Sequence, residues 1–354
     1  PPAESARLAK PLLVEVSLAT AYVIVCIAIC WAASLPLVLP DSDTLEFTGM
    51  SNLVPLSILA GTMIFVSVRS RATHPLYVTT AVSAYVAILI VHFNVKLGIH
   101  TINPGSFDAV FWAIDRAFYP IVTGAEAIHV GLTGTGLPIE HFYLFLFLAM
   151  FATSIIIHGN RSYCDLRKVV LASMLVHMIG GLGYLVMPAL GPFIYDIGTN
   201  SVETARQIHM LGVHRASLAG GPVWFTAHGP DHLAAGLAAM PSLHVASSGV
   251  FLYYAWSKER YLLWVYVPLF LFIVNEAIAT RWHYLVDIPV GLAVTGIAVL
   301  LARYLVDGQH RLRHAGPVGS DGRPAPVPGT RPANETVPGW KRLPIRPSRT
   351  PARN

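Results

Sequence analysis

Long apolar stretches, separated by short polar ones, dominate the pattern of this chain. Eight of them approach the roughly 20 residues that a helix needs to cross the hydrocarbon core of a bilayer. This pattern predicts an all-α polytopic membrane protein with about eight transmembrane helices. The stretches are approximately residues 12–39, 52–68, 76–94, 141–158, 169–187, 242–256, 261–279 and 284–304.

The remaining segments divide the chain into three parts. The connection 95–138 contains a partly apolar stretch, 107–121, which we expect at the membrane interface. Residues 188–240 are polar and rich in Gly and His, and we expect a loop there. The last fifty residues are rich in Pro, Gly and Arg, a composition typical of a disordered tail. The predicted parts are N-terminal helices with an outer loop, a second membrane domain and a basic tail, at 1–138, 139–305 and 306–354.

Composition supports the membrane assignment and excludes several other classes of protein. The chain has 354 residues, of which 54% are hydrophobic and 12% charged, whereas soluble domains contain roughly 25% charged residues. The net charge of +5 arises in the tail, because residues 303–354 hold ten Lys/Arg and three Asp/Glu, so the remainder sums to −2. That balance predicts no nucleic-acid partner. The first apolar run is too long for the core of a signal peptide, so we expect it to remain as an anchor.

The distribution of Lys and Arg predicts the orientation in a plasma or inner membrane. With the N-terminus inside, the outer connections hold only Lys96, Arg116, Arg206, Arg215 and Arg281. The positive-inside rule therefore places both termini in the cytoplasm and the 188–240 segment outside. The inner side then carries the tail and the larger basic set Arg7, Lys10, Arg69, Arg71, Arg161, Arg167, Lys168, Lys258 and Arg260.

Two polar clusters stand at the starts of two apolar helices on the predicted outer side. The first is Pro241-Ser242-Leu243-His244, and the second runs from Arg281 to Asp287 with the sequence RWHYLVD. His283 and Asp287 are four residues apart, so on a helix they would share one face. A carboxylate bonded to one imidazole nitrogen fixes the tautomer and leaves the other nitrogen as a nucleophile or base.

The other members of the clusters are suited to an anion. His244 begins a helix, where unpaired N–H groups and the positive end of the dipole favour negative charge. Ser242 adds a hydroxyl group, and Arg281 adds a planar, permanently charged donor. These groups together indicate phosphoryl transfer.

The motifs resemble those of a known family. PSLH at 241–244 followed by HYLVD at 283–287 is similar to the second and third motifs of the type 2 phosphatidic acid phosphatase superfamily. MPALGP at 187–192 resembles the proline-rich counterpart of the first motif in the inositol phosphorylceramide synthase-like branch. The likeness covers about residues 169–305. It implies a six-helix phosphatase-like core within a catalytic domain, 139–305.

The resemblance also implies roles for single residues. His283 would be the nucleophile that forms a phosphohistidine, Asp287 would orient it, and His244 would protonate the leaving group. Ser242 and nearby backbone amides, such as that of Leu243, would hold the phosphate. The substrate would be a lipid phosphate or a phospholipid in the bilayer, and the family needs no metal or other cofactor.

Two positions depart from the family pattern. The first motif usually carries a lysine and an arginine before its proline, but here Met187 precedes Pro188. The third motif usually has an arginine six residues before its histidine, where this chain has Ala277. Arg281 is the best substitute cation and Arg215 a weaker one. The departures favour the branch that handles phosphodiester headgroups over a simple phosphatase.

Several alternatives remain open from the sequence alone. Ser242 could be only a helix cap, and Arg281 only an interfacial anchor beside Trp282. Glu276 could serve the site or pair with Arg281. The spacing of His228 and His232 resembles that of a metal pair, although the intervening Gly-Pro makes a regular helix unlikely.

Two other functional classes compete with the enzyme hypothesis. A transporter or lipid-binding protein would bind its solute at polar residues near the midplane. In this chain the polar clusters lie at helix ends, and no internal repeat is visible. An intramembrane serine protease is a weaker alternative, because no glycine precedes Ser247-Ser248-Gly249 where such a site would use one.

Overall fold

The computed structural model of the protein describes residues 2–41, 74–136 and 139–314, and within these ranges it is helical without a strand. The all-α prediction is confirmed. The predicted second apolar helix, 52–68, and most of the predicted tail lie outside the described residues. The helices are α1 Pro2–Ala32, α2 His74–Leu97, α3 Ile99–Ile102, α4 Asp108–Ala117, α5 Tyr119–Thr133, α6 Ile139–Arg161, α7 Tyr163–Val186, α8 Ser201–His232, α9 Leu243–Lys258, α10 Leu263–Ala279 and α11 Asp287–His314, with 3₁₀ turns at Pro192–Ile194 and Arg260–Leu262.

Six of the described helical segments are long and apolar enough to cross a membrane. This agrees with the prediction of a polytopic integral membrane protein. The predicted segment 242–256 corresponds to α9, which is apolar but has only 16 residues. The six segments are Val14–Ala32, Tyr77–Leu97, Phe142–Arg161, Tyr163–Val186, Arg260–Ala279 and Asp287–Gly308.

The segment 188–240, expected to be a loop, contains the long helix α8. Its start is stabilised by the side chain of Asn200, which accepts a hydrogen bond of 3.0 Å from the Glu203 amide. The helix bends at Gly221, whose φ of 51° lies in the left-handed region. Pro222 follows the bend directly, where a missing N–H group costs little. The helix continues through Pro230 to His232, so the expectation of no regular helix between His228 and His232 was wrong.

Three ion pairs between neighbouring segments lie at one end of the bundle. Arg161 pairs with Glu259, Lys258 with Asp165 at 3.2 Å, and Lys168 with Asp307 at 2.6 Å. This end corresponds to the predicted cytoplasmic side. The helix starts that carry the two polar clusters lie at the opposite end. These ion pairs lie within one compact unit, Pro1–Gln309. Of the second unit, His310–Asn354, the structure describes only the residues up to His314, at the end of α11.

A buried ion pair joins α1 to α7. Nε of Arg167 donates to Oε1 of Glu15 at 2.8 Å, and its Nη2 donates to Oε2 at 3.2 Å. The hydroxyl group of Tyr77, on α2, donates to Oε1 of the same carboxylate at 3.2 Å. Glu15 is fully buried. Three helices that are distant in sequence are therefore held together by one carboxylate, which satisfies a charge that would otherwise be costly in a bilayer.

Helix α9 lies in the core, and its start packs closely on α7. A Cβ atom at Gly180 would come within 2.1 Å of Cδ2 of Leu243. A larger residue at position 180 would force the buried Leu243 side chain to move, since real Cβ atoms do not approach so closely. The glycine on α7 thus allows the PSLH cluster to lie directly against that helix.

Candidate active site

His283 and Asp287 form a hydrogen-bonded pair. Nδ1 of His283 lies 3.1 Å from Oδ2 of Asp287 and 2.9 Å from the carbonyl oxygen of Ala239. Both partners are acceptors, so Nδ1 must carry the proton. Nε2 has no hydrogen bond with any residue in the described ranges, so its lone pair is free. The Asp287 side chain is fully buried, whereas that of His283 is 13% exposed.

The pair does not share a helical face as the sequence suggested. His283 lies in the turn between α10 and α11, and Asp287 is the first residue of α11. Oδ2 of Asp287 also accepts a hydrogen bond of 2.9 Å from the Tyr284 amide. The carboxylate therefore closes the turn and fixes the imidazole at the same time. His283 and Asp287 are therefore in contact as predicted, but a turn brings them together and not the shared face of a helix.

The two motif clusters meet directly. The Ser242 amide donates to the carbonyl oxygen of Asp287 at 3.4 Å. His244, in the first turn of α9, is close enough to His283 for the two to interact electrostatically. The His244 ring packs edge-on against Tyr143, with ring centroids 5.2 Å apart, and against Phe147 at 4.9 Å. The structure thus brings His244, His283 and Asp287 to one place, while their catalytic roles stay predictions.

Ser242 occupies the N-cap position of α9, but its side chain makes no capping hydrogen bond. Its hydroxyl group is buried and has no partner in the described part of the chain. The helix-cap alternative therefore does not explain this residue. The first amides of α9, including that of Leu243, have no acceptor within their own helix. The hydroxyl group and these amides are the donors that the sequence assigned to phosphate.

Arg281 is buried between two carboxylates. Its Nε donates to Oδ2 of Asp196 at 3.0 Å and its Nη2 to Oε2 of Glu126 at 3.1 Å. Only Nη1 lacks a partner within the described ranges. The residue is 1% exposed, so it is not an interfacial anchor in contact with water. Nη1 is thus the nitrogen most available for a contact with phosphate, and that role stays a prediction. Arg215 is exposed on α8, and its role is likewise untested.

Asp108, on α4, is a residue that sequence reasoning missed. Its carboxylate accepts hydrogen bonds from the amides of Leu190 and Gly191, at 2.9 and 3.0 Å, and from the hydroxyl group of Tyr284 at 2.8 Å. It therefore joins the MPALGP loop to the RWHYLVD turn.

Asp115, seven residues later on the same helix, accepts a hydrogen bond of 2.9 Å from the Leu285 amide. Burial raises the pKa of this carboxyl group to about 6. Both acidic residues are buried. Two acids two turns apart in a partly apolar stretch are the signal that could have identified them.

The MPALGP loop packs under the RWHYLVD turn. Gly191 has φ 135°, and a Cβ atom there would lie 2.9 Å from the carbonyl oxygen of Trp282. The indole N–H of Trp282 donates to Oε2 of Glu203 at 2.6 Å, which ties the turn to α8. The carbonyl oxygen of Ala189 accepts from the Ala239 amide at 2.8 Å. This loop thus supports the backbone that holds His283.

Glu276 pairs with a histidine rather than with Arg281. Its Oε2 lies 2.7 Å from Nδ1 of His129, and the partners of Arg281 are other carboxylates. Nε2 of His129 lies 3.1 Å from the side-chain nitrogen of Asn200, so both ring nitrogens are occupied. This buried network braces α5 against α10. Among the described residues, no group of three or more His, Cys, Asp or Glu is placed to hold a metal ion.

One comparison with known proteins gives a match. Residues 129–301 match the family model described as the PAP2 superfamily. The matched range contains both the PSLH and the HYLVD motifs, and it begins after Asp108 and Asp115. Comparison with curated proteins and with solved structures gave no match.

Proposed function

We propose that this chain is a PAP2 superfamily enzyme that breaks a phosphoester of a lipid through a phosphohistidine on His283. One observation carries the proposal: Nδ1 of His283 is held by Asp287 and Ala239, and Nε2 has no hydrogen-bond partner in the described part of the chain. The family match and the six apolar helices support a phosphatase-type role in a membrane. The exact reaction and substrate are inferred from the chemistry of the motif residues.

In the first step, Nε2 of His283 attacks the phosphorus atom and a P–N bond forms. The P–O bond to the leaving group breaks, and His244 donates a proton to the departing oxygen. Asp287 stabilises the positive charge that develops on the His283 imidazole, while the proton on Nδ1 stays shared between them. The hydroxyl group of Ser242 and the free amides of α9 donate to the phosphoryl oxygens.

In the second step, the phosphohistidine is resolved by a hydroxyl group. His244, now neutral, accepts the proton of water or of an acceptor alcohol as its oxygen attacks phosphorus. The P–N bond breaks and His283 returns to its starting state. Hydrolysis and headgroup transfer differ only in the identity of this hydroxyl group.

The substrate class is proposed from the departures in the motifs. A phosphate monoester carries up to two negative charges, and the usual lysine and arginine of the first motif would neutralise them. In this chain Met187 precedes the proline of the first motif, and Ala277 stands where the third motif usually has an arginine. A phosphodiester headgroup carries one charge and needs fewer cations, which favours transfer of a phospho-headgroup of the inositol phosphorylceramide synthase-like kind. The distribution of Lys and Arg supports an extracytoplasmic site.

The test is turnover by the purified protein with a panel of lipid phosphates and phosphodiesters, analysed by mass spectrometry. We expect vanadate to inhibit at least one reaction, and we expect enzyme denatured at alkaline pH, where a P–N bond is stable, to retain a phosphohistidine. His283→Ala should abolish turnover and the phosphohistidine. His228→Ala, at an exposed position on α8, should leave both unchanged. Undiminished turnover by His283→Ala would refute the nucleophile assignment.

A further inference from the structure

Lys96 is a cation at the end of the bundle that carries the two motifs. It lies in the last turn of α2 and is only partly exposed. Its Nζ is 5.6 Å from the ring centroid of Tyr184. No acidic side chain pairs with it in the ranges that the structure describes. Residue 96 lies outside the range that matches the family model.

The surroundings of Lys96 belong to the candidate active site. Tyr184 is near the end of α7, Tyr143 near the start of α6 and His244 at the start of α9. Tyr143 contacts His244, with ring centroids 5.2 Å apart. Lys96 interacts electrostatically with His244, and Tyr184 does so with both Tyr143 and Asp287.

These side chains carry hydrogen-bond donors that have no acceptor among the described residues. The ammonium group of Lys96 and the hydroxyl groups of Tyr143 and Tyr184 form no hydrogen bond with any other described residue. Together they supply one positive charge and two hydroxyl groups, and one of them, Tyr143, contacts the His244 ring. Such a set matches the oxygen atoms of a phosphate group, which can accept from several donors at once.

A purely structural role explains Lys96 less well. A lysine at a helix C-terminus interacts favourably with the helix dipole, and a ring face attracts a cation. Both effects are small compared with the cost of keeping an ammonium group partly out of water without an anion. Arg281, a second cation near the motifs, already has two carboxylate partners, Asp196 and Glu126.

We propose that Lys96, together with the hydroxyl groups of Tyr143 and Tyr184, binds the phosphate group of the substrate beside His244. Lys96 takes the place of the basic residues that are absent from the first motif, and it comes from a helix outside the family match. This inference rests on the proposed function, because it concerns the phosphate of the same reaction.

The experiment measures binding of orthovanadate and of inorganic phosphate to the detergent-purified full chain, by calorimetry and by the rise in unfolding temperature. Lys96→Met should weaken vanadate binding by at least about tenfold, as expected for loss of a charged hydrogen-bond donor. Lys96→Arg should stay within about threefold of wild type. Lys258→Met is the matched control, because it removes the same charge at the opposite end, where Lys258 pairs with Asp165.

The outcomes separate this inference from the proposed function. If wild-type protein binds vanadate and Lys96→Met binds it equally well, Lys96 is not the phosphate ligand although the proposed function stands. If wild-type protein neither binds vanadate nor turns over any phosphoester, the proposed function itself fails. Should Lys96→Met not fold, Tyr143→Phe and Tyr184→Phe decide the question. Each is expected to weaken binding severalfold, and unchanged binding in both would overturn the proposal.

Discussion

The hydroxyl group of Tyr284 donates a hydrogen bond of 2.8 Å to Oδ1 of Asp108, across 176 residues of sequence. The same carboxylate accepts hydrogen bonds from the amides of Leu190 and Gly191. One side chain from outside the matched family range therefore fixes two of the three motif segments. Tyr284 directly follows His283, so the position of Asp108 is coupled to that of the candidate nucleophile.

Replacing Asp108 should affect both stability and activity. Asp108→Ala leaves two buried amides and the hydroxyl groups of Tyr284 and Ser106 without this acceptor. The change should lower the free energy of unfolding by on the order of 2–4 kcal/mol. Turnover should fall further than stability alone explains, since the His283 turn loses its support. Thermal unfolding and kcat, measured on the same preparation, check this.

Tyr284→Phe removes only one of the contacts that Asp108→Ala removes. It removes one hydrogen bond and leaves the carboxylate with its two amide donors, so its cost should be about 1 kcal/mol. If Asp108→Ala had no larger effect than Tyr284→Phe, the amides of the MPALGP loop would not depend on Asp108.

Asp287→Asn tests how the imidazole is oriented. An asparagine side chain can present its NH₂ group to Nδ1, which favours the wrong tautomer of His283. We expect kcat to fall by about 10²–10⁴-fold with a small change in KM. Asp307→Asn, a change of the same kind at the opposite end of the bundle, should have little effect on kcat. A loss of kcat below threefold in Asp287→Asn would contradict the orienting role.

Arg281 can be tested for a role beyond its ion pairs. Arg281→Ala leaves Glu126 and Asp196 without their cation and should destabilise the protein by about 3–5 kcal/mol. The triple variant Arg281→Ala, Glu126→Gln, Asp196→Asn removes the unpaired charges and should recover much of that stability. If Arg281 serves only structure, turnover recovers too; if its Nη1 binds phosphate, KM stays raised in the triple variant.

Stability should depend on the protonation of Asp115. Burial is the main reason that the pKa of its carboxyl group rises to about 6, and the charge of Asp287 adds to it; the Leu285 amide and Arg281 act in the opposite direction. The folded state therefore binds this proton more tightly than the unfolded chain does. Its stabilising contribution is complete below about pH 4 and is lost as pH rises through about 6.

The measurement is the unfolding temperature of wild type and Asp115→Asn between pH 4 and 7. The unfolding temperature of wild type relative to that of Asp115→Asn should be highest at low pH and should fall as pH rises through about 6. Burial lowers the pKa of His100 to about 4. The contribution of His100 to the stability of the protein is therefore lost as pH falls, which is opposite to the effect of Asp115. Taking the difference between the variants cancels His100, and a gap independent of pH would refute the assignment.

The orientation can be tested by labelling single cysteines in intact cells. Arg215→Cys places a thiol at an exposed position on α8, and Ser257→Cys places one near the other end of the bundle. A membrane-impermeant maleimide should label position 215 but not position 257 until the cells are opened. Cys164 is partly exposed and must first be replaced by Ser, whereas Cys26 and Cys30 are buried. Labelling of position 257 alone would reverse the proposed topology.

Hydrophobic runs made the helical architecture predictable, because a bilayer requires long apolar helices. The convergence of PSLH and HYLVD was also predictable, since the helices that carry them begin at the same end. The turn that holds His283 was not, because an i,i+4 spacing fits both a helix and a turn closed by Asp287. In the 188–240 segment, a polar composition concealed α8, whose start depends on the cap by Asn200.

The partners of Asp108 and Asp115, and the position for which we propose Lys96 as a phosphate ligand, could not be deduced from spacing. Each acts on residues far away in sequence, and which partners meet depends on how α2 and α4 pack on the rest of the bundle. Arg281 shows the reverse problem. Its sequence position suggested a free cation, but Glu126 and Asp196 approach it from segments that carry no visible link to the motif.

The buried pair of Glu15 and Arg167 has a consequence for biogenesis. The two residues are 152 positions apart, so α1 is synthesised well before the guanidinium group that neutralises its carboxylate. An unpaired carboxylate within a bilayer is unfavourable by roughly 2.5–3.5 kcal/mol on insertion scales. We expect α1 to reach its final depth only after α7 has been inserted, so that assembly of the bundle is completed late in translation.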